Sequence, residues 1–94
     1  PDLDEAAARA LLAEEFPDHR IEGLWIAEDR AGLIARSGGE GLVLWRRGDG
    51  YVARSAPWAA LTAARPADGR LALAAVDGGP RLRVASWPPA EAGA

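Results

Sequence analysis

The stretch "IEGLWIAEDRAGLIARSGGEGLVLWRRGDGYVARS", residues 21–55, decides the fold. Its apolar residues recur in short blocks, and the blocks are separated by "EDR", "SGGE" and "GDG". Brief polar, glycine-bearing connections of this kind join antiparallel strands. The pattern predicts strands at 20–27, 31–36, 41–47 and 51–55, forming a four-stranded antiparallel meander.

An antiparallel strand with one wet face alternates apolar and polar residues. The first three strands break that rule. Ile21 and Trp25 fall on one face and Leu24 and Ile26 on the other; Leu33 opposes Ile34; Leu42 and Leu44 oppose Val43 and Trp45. Large apolar groups therefore lie on both faces of the early sheet. An uncovered face would leave a patch of several hundred Å², more than soluble monomers usually tolerate.

Outward from this centre, residues 2–16 read as a helix. Asp2 is the expected N-cap, Glu5 has capping-box spacing, and Glu5–Arg9 is a favourable i,i+4 pair. Ala8, Leu11, Leu12, Glu15 and Phe16 share one side, and Pro17 ends the element. On the other flank "SAPWAALTAAR" reads as a helix over 56–65, with Ser55 as its cap and Pro57 in its first turn. Strands are predicted at 70–76 and 81–87 around the turn "DGGP". Residues 1–87 then form one domain and 88–94 a frayed tail.

The expected class is α+β: an N-terminal helix, the four-stranded meander, a short helix and a closing β-hairpin. A small six-stranded barrel or sandwich with a helical lid is the competing arrangement, because the strands recur at short, regular spacing.

Composition removes several chemistries. Cysteine and lysine are absent, which excludes disulfides, thiolate metal sites, Schiff bases and a phosphate-gripping lysine loop. One histidine cannot build a histidine metal cluster, and no metal or cofactor is expected. The net charge of −3 disfavours nucleic acid, although Arg46, Arg47, Arg81 and Arg83 near Trp45 and Tyr51 have the residue mix of single-strand binders. No apolar run is long enough to cross a bilayer, and the acidic opening "PDLDEAAARA" is the wrong start for a secretory signal; a cytoplasmic setting is expected. Alanine, glycine, arginine and proline abound while Asn, Gln, Lys, Met and Cys are missing, the residue usage of a high-GC, bacterial genome.

Arg47-Gly48-Asp49 matches a tripeptide that adhesion receptors read, but turn chemistry accounts for it: glycine supplies positive φ and aspartate tolerates turns. A three-residue loop, 48–50, is expected, with the positive φ near its end. "SGGEG" and "DGGP" lie between strands, where a phosphate cradle would need a helix N-terminus. Glu14-Glu15 and Glu28-Asp29 read as solvated carboxylates.

The function expected from the double-sided sheet is a non-catalytic interaction domain that self-associates or docks a protein partner. Leu24, Trp25, Ile26, Val43, Trp45 and Arg47 are the expected partner-binding residues, and tryptophans 25, 45, 58 and 87 would fill the joint. A small-molecule or nucleotide site on Trp45, Arg47 and Tyr51 is one alternative. An enzyme using His19 as a base oriented by a nearby carboxylate such as Asp18 is the other.

Overall fold

The computed structural model describes residues 2–90. Its first element is helix α1, Glu5–Glu15. The helix begins later than the sequence pattern suggested, because Leu3 is buried and its N–H bonds the Arg30 carbonyl at 3.0 Å. The N-cap is therefore Asp4, not Asp2. Asp4 Oδ1 accepts from the Ala7 N–H at 2.8 Å, while Asp2 reaches Arg46 at 3.7 Å. The Glu5–Arg9 pair forms at 3.0 Å. Ala8 and Leu12 are buried against the sheet, whereas Glu15, expected on the same stripe, is exposed.

Four strands follow: β1 (Gly23–Ile26), β2 (Gly32–Ser37), β3 (Glu40–Arg47) and β4 (Gly50–Pro57). They pair antiparallel in the order β1-β2-β3-β4, the predicted meander. β1 is shorter than the apolar pattern implied. Gly23 is the partner of Arg36, yet the Glu22 N–H also reaches the Arg36 carbonyl at 2.8 Å, so two residues oppose one and the strand bulges at its start.

Both later hairpins are tighter than expected. Ser37 pairs with Glu40 and Arg47 with Gly50, which leaves two-residue loops. Gly38 and Gly48 each have φ of +60°, while Asp49 does not have positive φ. Glycine in the first loop position is the pattern of a type II′ turn, whose twist matches that of the strands. The positive φ thus falls on Gly48, not at the end of a three-residue loop. Gly48→Ala is expected to cost about 1–2 kcal/mol, whereas Gly50→Ala, with negative φ and open space around the new methyl, is neutral or mildly stabilising. Denaturant titration of the two variants checks the assignment; equal effects would restore the longer loop.

The helix expected over 56–65 is instead α2, Trp58–Thr62, five residues long. Ser55 is not its cap. The ladder between β3 and β4 continues through Leu42–Ser55 to Glu40–Pro57, so Ser55 belongs to a strand and Pro57 stands at the N-cap position. Gly41 permits α2 to sit close against β3: a Cβ there would stand 2.1 Å from Leu61 Cδ1.

The strands expected at 70–76 and 81–87 shrink to β5 (Leu71–Ala72) and β6 (Arg81–Leu82). Pro80 lacks an N–H to extend the ladder, and the Val76 and Val84 N–H groups bond locally to Leu73 and Leu82 carbonyls. β5 and β6 form a separate two-stranded sheet, so the molecule is α+β with an open sheet and not a six-stranded barrel. The inward alternation nevertheless persists at Leu71 and Leu73 and at Leu82 and Val84, all buried, and Val76, out of that phase, is buried by the local turn.

These elements make three layers. On one face of the main sheet, Leu33, Ala35, Leu42 and Leu44 pack with Leu3, Ala8 and Leu12. On the other, Ile34 and Val43 pack with Trp58, Leu61, Leu71, Leu73, Val76, Leu82, Val84 and Trp87. The second half of the chain is the cover for the second apolar face. Of the expected tail, Pro88 and Pro89 are half-buried and Ala90 is exposed; residues 91–94 lie outside the described part.

Candidate functional site

The six residues expected to bind a partner do not share a surface. Leu24 and Ile26 are half-buried on the face under α1. Trp25, Val43 and Trp45 belong to the opposite face, with Val43 fully buried. Arg47 is exposed at the hairpin end. Among the described residues no large hydrophobic side chain is exposed, and Leu24, Trp25, Ile26 and Trp45 are half-buried.

Three of the four tryptophans form one intramolecular cluster. Trp25 stacks on Trp58 with centroids 5.3 Å apart, and Trp87 meets both edge-on at 5.7 and 5.8 Å. The Trp87 indole donates to the Leu61 carbonyl at 2.8 Å, which ties the segment around Trp87 to α2. Arg36 lies over the Trp58 ring at 5.4 Å, so the cluster already holds a cation from its own chain.

Trp45, Arg47 and Tyr51 are not brought together either. In the β3–β4 register Trp45 opposes Val52, whereas Tyr51 opposes Arg46, and the two rings belong to different faces. Tyr51 instead sits beneath Arg46, whose guanidinium carbon is 6.0 Å from the ring centroid. The hydrogen bond with Tyr51, ahead of the charges of Tyr51 and Asp2, raises the Arg46 pKa above its ordinary value.

His19 Nε2 lies 3.5 Å from a Glu40 carboxylate oxygen, and Glu40 rather than the adjacent Asp18 is the carboxylate beside it. The ring packs edge-on against Phe16, and Nδ1 is buried with no hydrogen-bond partner. The contact ties the end of α1 to the β2–β3 hairpin. Among the described residues no hydroxyl is bonded to His19, and no group of His, Asp and Glu is placed to hold a metal ion.

Two other surfaces stand out. The first is the outer edge of β4, an eight-residue border strand whose far side pairs with no other strand among the described residues. Because the hairpin closes on Arg47–Gly50, alternate residues bond inward to β3, and the backbone groups of Ala53 and Ser55 turn outward. Arg54 guards this edge: its guanidinium donates to the Ala53 carbonyl at 2.7 Å and lies 3.7 Å from Asp77. The second is a cavity of about 610 Å³ on the outer side of β5–β6, lined by Ala67, Asp68, Arg70, Ala72, Arg81 and Arg83. The sequence drew attention to Arg81 and Arg83 but gave no sign that Arg70 joins them. Arg46 and Tyr51 line a different, smaller cavity, so the basic and aromatic residues that suggested single-strand binding are divided between two places.

No helix among the described residues is long and apolar enough to cross a membrane. The chain matches no family model, no curated protein and no solved structure.

Proposed function

We propose that the chain is a non-catalytic interaction domain that self-associates or docks a protein partner through its main sheet, using the β4 edge rather than an apolar face. The observation that supports this reading is the length and shape of that edge. β4 runs for eight residues with proline only at its last position and a single charged side chain, Arg54. Border strands are ordinarily blunted by shortness, bulges, internal proline or several charges. β1, at the other border, is four residues long and bulged at its start, and so has the protection that β4 lacks. A partner would add a strand along Ala53 and Ser55, with backbone hydrogen bonds supplying affinity.

Arg54 makes the reading testable, since its side chain occupies the Ala53 carbonyl that an incoming strand needs. Arg54→Ala is expected to increase self-association, measured by light scattering after size exclusion over a range of concentrations. Ser55→Pro should suppress it without unfolding the domain, because proline is tolerated where the N–H faces solvent. If wild type and Arg54→Ala both stay monomeric at every concentration, strand addition between copies is rejected.

A further inference from the structure

The arginine-lined cavity on the closing hairpin is independent of the β4 edge. Its geometry begins with a local turn. The Ala67 and Arg70 backbones exchange hydrogen bonds at 2.8 and 3.0 Å around Asp68-Gly69. Both turn residues have positive φ, +54° and +75°, as a type I′ Asp-Gly turn requires. This turn fixes the backbone of Arg70 at the mouth of β5.

The register then gathers the charges. Leu71 pairs with Leu82, so Arg70 and Arg83, which flank that pair, stand at the same end of the ladder. Leu71, Leu82 and Val84 point into the core, and strand alternation turns Arg70, Arg81 and Arg83 to the opposite, outer side. Arg83 has a loose partner in Asp29 at 3.9 Å. Arg70 and Arg81 have no side-chain hydrogen bond or ion pair among the described residues, although the chain as a whole carries a net charge of −3. Among the described residues, Asp68 lines the cavity itself and Asp29, the partner of Arg83, lies beside it.

We propose that this cavity binds a phosphate monoester dianion. Each guanidinium is a planar fork that pairs two oxygens at once. Arg70 and Arg81, the two guanidiniums without a partner among the described residues, bring two positive charges. Asp29 offsets Arg83, and Asp68 lowers the net charge of the group to +1, which still favours an anion. A volume of about 610 Å³ is within the range of small-molecule sites and leaves room for the group that carries the phosphate. No aromatic ring lines the cavity, so the carrier is not held by base stacking, and a nucleic-acid strand is the poorer fit.

The test is calorimetric titration of the full chain with inorganic phosphate at constant ionic strength, with chloride as the reference anion. Phosphate is expected to bind saturably. The variant Arg70→Gln/Arg81→Gln removes two exposed, unpaired guanidiniums; it should weaken binding by roughly tenfold or more while its thermal transition in chloride stays at the wild-type temperature. Arg47→Gln, on a hairpin that does not line the cavity, should change neither. Heat no different from chloride, or phosphate binding that survives in the double variant, overturns the proposal. Binding of single-stranded DNA with an affinity that phosphate does not compete away would overturn it as well, by assigning the cavity to a polymer.

Discussion

Val43→Asp is expected to abolish the folded state. Val43 has no solvent-accessible surface and lies in the layer between the main sheet and the second half of the chain, packed among Ile34, Leu71 and Trp58 and their neighbours. An aspartate there loses the packing of the valine and places a carboxylate where no partner waits. Whether it stays charged or first takes up a proton, the cost is on the order of 4–5 kcal/mol or more, a large part of the roughly 5–15 kcal/mol that holds a domain of this size together. The measurement is near-ultraviolet circular dichroism, with size exclusion to register the expanded chain. The contrasting outcome is informative about function. If Val43 belonged to an interface between molecules, the same variant would be a well-folded monomer. Arg47→Asp, at an exposed hairpin end, should shift stability by no more than about 0.5 kcal/mol.

Trp87→Ala is expected to lower stability by about 3–5 kcal/mol, which for a chain of this length moves the thermal midpoint down by roughly 15 °C or more. Trp87 is 5% exposed, closes the cluster with Trp25 and Trp58, and donates a hydrogen bond to the Leu61 carbonyl of α2. Its removal opens a cavity at the rim of the second layer and leaves the Leu61 carbonyl with its backbone donor, the Ala64 N–H at 3.2 Å. Iodide quenching should then reach the remaining tryptophans more readily than in wild type. Trp87→Phe, which keeps most of the ring area and loses only the indole donor, should recover the larger part of the loss. A small effect of Trp87→Ala would mean that the chain's last described segment is not what seals the sheet.

These two expectations invert the reading that the strand pattern invites. The double-sided apolar pattern of Leu24, Trp25, Ile26, Val43 and Trp45 is present in the sheet and was legible, because alternation is a property of neighbouring residues. The need for two covering layers followed directly. Which material supplied the second layer did not follow, since apolar burial has no direction and rewards a second copy and a later segment of the same chain alike. The fold supplies the later segment, and it turns Trp87, which the sequence placed in a joint of unknown ownership, into an internal plug.

Smaller departures have the same origin. Asp2 and Ser55 have the right chemistry to cap helices, yet Asp2 is displaced because Leu3 is pinned to Arg30, and Ser55 because the β3–β4 ladder runs on to Pro57. Both rival interactions join residues far apart in the chain. Where the competition is local, the sequence reading holds: the Glu5–Arg9 pair, the helix end before Pro17 and the glycine-marked hairpins are all in place.

The sequence by itself determined the order of elements, the antiparallel meander, the positions of its turns and the absence of cysteine and lysine chemistry. Each of these depends on residue type or on neighbours within a few positions. Only the tertiary structure decided that the second sheet face is sealed from within, that Tyr51 and Trp45 stand on opposite sides, and that Arg70 joins Arg81 and Arg83 over one cavity. Those outcomes rest on strand register and on long-range burial, whose energies are shared among many weak contacts and are written in no single stretch of the chain.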